Sequence, residues 1–224
     1  MNYTPATKTL FSAAICVLLA TSLAQATIYK EAISGDLSDD KTAPTALTLT
    51  PGFNLVSGTV AGFPPEGTDP QDWVSFTIPA GYVMVSYVNA KFVAGDGQGF
   101  TGFHAGSSFP PGMDSEFDPA NYTGYAHFGT AAQNPDGNPT TSSTVGVNLL
   151  PLMADQNFAP GTTNPVFPLS AGTYTFLIQQ GDPTTTHYQF NMTVRPVAAP
   201  EAGSSLCLLA IGILATFALR RRLA

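Results

Sequence analysis

Apolar and polar residues alternate with period two along much of this chain. In HYQFNMTV, Tyr188, Phe190, Met192 and Val194 fall on one side of an extended backbone. His187, Gln189, Asn191 and Thr193 fall on the other. TYTFLI gives Tyr174, Phe176 and Ile178 a common face, and WVSFTI does the same for Val74, Phe76 and Ile78. GYVMVSYV is apolar at both parities, the pattern of a central strand covered on each side. Turn signals separate these runs: Thr50-Pro51-Gly52, Pro79-Ala80-Gly81, Ser170-Ala171-Gly172 and Gly181-Asp182-Pro183. No long helical period appears in the body, although TVGVNLLPLM has room for a short helix. About eight such strands in one domain predict an all-β fold, a single antiparallel β-sandwich of jelly-roll type over residues 27–196.

The two ends break the pattern. Lys8 precedes an apolar stretch from Leu10 to Ala20, and Ala24-Gln25-Ala26 then offers small residues at signal-peptidase spacing. The stretch is short for a membrane span, so residues 1–26 are expected to be a cleaved signal peptide. At the other end, Pro200-Glu201 and a small polar step lead into an apolar run from Leu206 to Leu219, closed by Arg220, Arg221 and Arg222. A membrane segment is expected over about residues 203–219, with the arginines held cytoplasmic.

That tail, residues 197–224, resembles the PEP-CTERM sorting signal of Gram-negative envelope proteins. Ala202 stands where a second proline is usual and Ala199 where valine is common, so PEAGSS reads as a variant. The resemblance implies processing by the membrane enzyme exosortase, with the inner membrane as a transient station or an anchor. It places the product in the cell envelope, on the outer surface or outside the cell. An ordinary tail anchor is the alternative reading.

Composition narrows the chemistry. Both cysteines, Cys16 and Cys207, lie in the end segments, so the body has no disulfide framework, thiolate nucleophile or cysteine-ligated zinc. Of eight basic residues only Lys30, Lys41, Lys91 and Arg195 belong to the body, whereas nearly all fifteen acidic residues do. So acidic a body argues against nucleic acid or an anionic membrane as partner. The 21 glycines and 19 prolines are spread along the chain, as turns between short strands require.

Carboxylates gather at two places. Glu31, Asp36, Asp39 and Asp40 share one turn-rich segment, and Asp69 and Asp72 precede Trp73. Calcium takes six to eight oxygens from carboxylates, carbonyls and water, which such loops can supply. The same aspartates can instead cap turns and solubilise the loop. The order of segments adds a second resemblance. EAISGDLSDDKTAPTALTL, NLVSGTVAG, DPQDWVSFTIPAGYVMVSYV and LSAGTYTFLIQQGDPTTTHYQFNMTV are similar to the bacterial prepeptidase C-terminal (PPC) type of β-sandwich. The likeness covers roughly residues 31–93 and 166–194, and the middle, 94–165, departs from it. It implies a non-catalytic module in which acidic residues at the two places can meet around calcium. Glu31, Asp36, Asp39 and Asp72 are the expected ligands.

Other motifs are weaker. AGDGQGF lacks the Lys-Ser/Thr and the helix that phosphate binding needs, and reads as a hairpin loop. His104, His127 and His187 have no ligand-like partner at close spacing, and no nucleophile–base pair stands out. Aromatics interleave with glycine in the middle segment, where Tyr122, Tyr125 and His127 are candidates to stack and hydrogen-bond a sugar; burial in a core is the other fate of such residues. Asn121 and Asn191 begin glycosylation sequons. The expected function is an exported, non-catalytic protein of the envelope or extracellular matrix, structural or associated with exopolysaccharide. A calcium-dependent carbohydrate-binding or adhesion module is one alternative. A tail-anchored surface protein with an unrecognised hydrolase activity is another.

Overall fold

A computed structural model describes residues 26–62, 69, 71–93, 97–110, 122–131, 143–154, 167–180 and 185–198. The expected signal peptide up to Gln25, Ala24 included, lies outside the described residues. So does the chain from residue 199 onward, with Pro200, Glu201, the apolar run and Arg220–Arg222. Among the described residues no helix is long and apolar enough to cross a membrane.

The period-two runs become strands: β1 (Ile28–Lys30), β2 (Thr45–Thr48), β3 (Gly52–Ala61), β4 (Gln71–Ile78), β5 (Tyr82–Val93), β6 (Gln98–Ala105), β7 (Gly124–Gly129), β8 (Gly172–Gln179) and β9 (Thr185–Pro196). Two short helices complete the described elements, α1 (Glu31–Ser34) and α2 (Leu150–Ala154), the second within TVGVNLLPLM and the residue that follows it. The strands form two sheets in the orders β1-β3-β9-β5 and β2-β4-β8-β6-β7. The described residues are therefore mostly β, consistent with the expected all-β fold. Most ladders are antiparallel, but β1 runs parallel to β3 and β2 parallel to β4. These parallel pairs arise because β1 to β5 alternate between the two sheets, so each early strand meets the next-but-one.

Side chains from both sheets meet in one core. Tyr188, Phe190, Met192 and Val194 of β9 join Val74, Phe76 and Ile78 of β4 there, together with Phe176 and Ile178 of β8. Tyr87 of β5 stacks on Phe190 with ring centroids 4.4 Å apart and meets Phe176 of the other sheet at 5.1 Å. Phe128 of β7 lies 5.4 Å from Phe92 and 4.9 Å from Phe190. Each such pair adds about 0.5–1.5 kcal/mol beyond area burial. Among the described residues the core clusters run from Leu37 to Val194.

One element differs from the sequence reading, and one residue, Trp73, takes a place that reading did not assign. GYVMVSYV belongs to β5, which ends its sheet instead of lying centrally. Register shifts between Met84 and Ser86 and between Asn89 and Lys91 break the period of two. The free edge is capped by residues 144–149: Leu149 N–H donates to Tyr87 C=O at 2.8 Å and Gly146 N–H to Asn89 C=O at 2.7 Å. The parity of Trp73 turns it away from the shared core, yet it is fully buried in a smaller cluster with Leu177, Phe109 and Tyr122 on the outer face of the five-stranded sheet. There the Tyr122 ring covers Gly102; a Cβ on Gly102 would stand 2.6 Å from Tyr122 Cδ1. The glycines interleaved with aromatics in the middle segment thus make room for rings.

Candidate metal centre

The acidic opening segment crosses from one sheet to the other. β1 pairs with β3 and hands over directly to α1, which sets Glu31 at the edge of the four-stranded sheet. Gly35, at φ +93°, then turns the chain in a conformation that a side chain would resist. Tyr29 holds this turn, its O–H donating to the carbonyls of Gly35 and Asp36 at 2.9 and 3.2 Å. Leu37 anchors the segment in the core, and Trp73 N–H donates to Ser38 C=O at 2.7 Å, tying it to β4.

Asp72 comes to this segment from the core side. It extends the inward stripe of Val74, Phe76 and Ile78 by one step, so the parity that buries those residues buries a carboxyl as well. Its exposure is 0%. Tyr188, the corresponding end of the β9 stripe, donates its O–H to Asp72 Oδ2 at 2.6 Å. Asp72 Oδ1 is buried with no donor reaching it. Glu31, Asp36 and Asp72 each present a carboxylate oxygen, all within 4.8 Å of one another.

Glu31 reaches this point through a notch. Gly58, on the inward parity of β3 opposite Tyr188, has no side chain, and a Cβ there would overlap the Glu31 carboxylate. With that space open, Glu31 Oε2 accepts from Thr59 N–H at 2.7 Å and Oε1 from Leu37 N–H at 3.3 Å. The carboxylate is thereby fixed at both oxygens while facing Asp72.

The electrostatics are those of crowded acids. Burial, then the neighbouring Glu31 charge, pushes the Asp72 carboxyl from 3.8 up to about 9, against the opposing pull of the Tyr188 hydrogen bond. Burial also raises Glu31, though the Thr59 and Leu37 N–H groups oppose it. Burial raises Tyr188 well above the usual phenol value, and the Asp72 charge adds to this. Asp69 is pushed up to about 7 by burial, then by the charges of Asp36 and Asp39. Asp39 thus faces Asp69, and the three-carboxylate group does not include it. Asp40 is a turn former. Its Oδ1 accepts from Thr42 N–H at 2.8 Å and Thr42 Oγ1 at 2.7 Å, which holds the carboxyl below its usual range.

The oxygen-only donor set suits a hard cation, and the buried Asp72 oxygen left without a donor is an acceptor that a cation could satisfy. Glu31, Asp36 and Asp72 are the residues able to hold it, with Asp69 and Asp39 alongside. Tyr188, Gly58 and Asp69 were not singled out from the sequence as parts of this centre. Shared inward parity on β4 and β9 was the available signal for the Asp72–Tyr188 contact.

The middle-segment candidates lie elsewhere, on β7 and just before it. Tyr122 is buried against Phe109 and Phe100, so its ring is occupied by packing. Tyr125 and His127 are half-buried, each packing on Phe100, at 5.5 and 5.6 Å. Burial lowers the His127 imidazole.

Residues 198–222 match the PEP-CTERM protein-sorting motif. The chain thus carries the C-terminal, membrane-anchored sorting signal of an exported, exosortase-processed protein. No curated protein and no solved structure matches the chain.

Proposed function

We propose that this protein is a non-catalytic component of the cell envelope or extracellular matrix, delivered by exosortase sorting. Its body is a β-sandwich of the PPC type that takes calcium at Glu31, Asp36 and Asp72. One observation carries the calcium reading: a fully buried aspartate, Asp72, keeps one oxygen without a donor and stands in a group with two further carboxylates, their oxygens within 4.8 Å of one another. Three acids at this separation repel one another when ionised, and burial raises the cost. A divalent cation would offset both terms, and would tie the 31–38 segment of one sheet to β4 of the other. The group is irregular and one side is open, since Asp36 is exposed, which suits flexible calcium coordination better than strict magnesium octahedra.

The test is calorimetric titration of calcium into the metal-free body, residues 27–198, with thermal melts in calcium and in EGTA. The expected result is saturable binding and a higher melting temperature in calcium. Identical melts in calcium and EGTA would remove the calcium reading.

A further inference from the structure

The outer face of the four-stranded sheet carries a cavity of about 350 Å³, lined in part by Glu31 of the carboxylate group and otherwise by residues outside that group. Register aligns its walls. Lys30 on β1 pairs with Ser57 on β3, Ser57 with Gln189 on β9, and Gln189 with Lys91 on β5. One polar row therefore crosses all four strands, with a lysine at each end. Beside it, Thr59 and His187 form a second opposed pair. At about 4.8 Å per strand the row spans roughly 14 Å, room for a disaccharide. Two of the four cationic side chains of an otherwise acidic body thus line one pocket, with a histidine between them and Glu31 as the one acid in its wall.

The geometry points to a binding site for an acidic saccharide, a sugar bearing a carboxylate. Lys30 or Lys91, one at each end of the row, supplies a charge-assisted hydrogen bond to the carboxylate. Ser57, Thr59, His187 and Gln189 supply the donors and acceptors that sugar hydroxyls need. Gln189 Nε2 already donates to Asn191 Oδ1 at 2.9 Å, which orients its amide across the row. A neutral sugar fits less well. The one aromatic ring lining the cavity, Tyr188, is turned inward and buried, so no stacking platform faces the pocket. A bare phosphate also fits less well, because the strand N–H groups are engaged in ladders and cannot form an anion-binding nest. The inference rests on the exported matrix role for its biological setting, and because Glu31 lines this cavity and belongs to the carboxylate group alike, calcium is kept saturating in the test.

The experiment is an amide-shift titration of the body, which holds the described core from Leu37 to Val194, with glucuronic acid, glucose and inorganic phosphate in buffer with saturating calcium. A K30Q/K91Q double variant runs in parallel. Glucuronic acid is expected to shift the amides of Ser57, Thr59, His187 and Gln189 saturably, and to bind about ten-fold more tightly than glucose or phosphate. The double variant should weaken it about ten-fold or more. Both substitutions are at exposed positions, so its melting temperature and calcium response should match the parent's and show that the fold is intact. Glucuronic acid binding no better than glucose, or shifts mapping elsewhere, would overturn the proposal. Phosphate binding as tightly at the same residues would reduce the site to a general anion pocket and overturn the saccharide assignment. A lost calcium response with intact glucuronic acid binding would count against the calcium centre alone.

Discussion

Substituting Asp72 by Asn removes the buried carboxyl while keeping its shape. The amide oxygen can still accept from Tyr188, and the amide nitrogen can donate toward Glu31. In the metal-free native state the Asp72 carboxyl titrates near 9, against 3.8 in the unfolded chain. A raised carboxyl contributes full stability below the unfolded value and loses it as pH rises toward the folded one. At pH 7 the native chain holds a proton about 3 pH units above where the unfolded chain releases it. At 1.36 kcal/mol per unit this costs about 4 kcal/mol. D72N should therefore be more stable than the parent in EGTA at pH 7, by up to about 4 kcal/mol. For a domain of this size that is about 10 °C in melting temperature. Its stability should also fall less steeply between pH 5 and 8 than the parent's, the remaining fall coming from Asp69, pushed up to about 7, and from Glu31. Calcium should close that gap: at a hundred times its dissociation constant it adds about 2.7 kcal/mol to the parent and little to the variant, and at a thousand times about 4.1 kcal/mol, enough to offset the whole difference. Melts at pH 5, 7 and 8, in EGTA and in calcium, read all of this. D72N melting at or below the parent in EGTA at pH 7, or keeping the full calcium shift, would refute the reasoning.

Gly58→Ala should press a methyl group into the Glu31 carboxylate, costing about 1–3 kcal/mol in urea denaturation and weakening calcium binding in calorimetry. Tyr188→Phe leaves Asp72 Oδ2 without its donor and should cost about 1–3 kcal/mol. Because that hydrogen bond holds the Asp72 carboxyl down, its loss should carry the alkaline fall in metal-free stability to higher pH, which a pH series of melts would show. Glu201→Ala, in the matched sorting motif, should block exosortase processing, so an immunoblot of cell fractions should show the longer precursor retained in the membrane.

Legibility from sequence followed the range of the forces involved. Inward faces of β4, β8 and β9 were readable because alternation is local: each strand records its own buried side. β5 was misplaced because two bulges shift its parity, and a strand capped by residues 144–149 is as apolar as a central one. Trp73 was missed for a related reason. Its burial depends on Phe109 and Tyr122, which arrive from distant segments, and nothing near Trp73 in the chain records them.

The carboxylate group shows where local reading and fold diverge. Acids at positions 31–40 and 69–72 are evident in the sequence, but the choice among them is made by topology. Asp40 is lost to its own turn through Thr42, a bond two residues long. Asp39 faces Asp69. Glu31 enters only because Gly58, 27 positions away, leaves a gap that its carboxylate fills. Asp72 alone was fixed by local pattern, since it continues a stripe whose other members are Val74, Phe76 and Ile78. A charged residue in register with a core stripe has only a few physical resolutions: a counter-charge, a proton or a cation. Among the described residues Tyr188, Glu31 and Asp36 meet Asp72 and no cationic side chain does, which leaves the proton and the cation. Calcium separates these two, because it stabilises the parent and not D72N if a cation balances Asp72, and neither if a proton does.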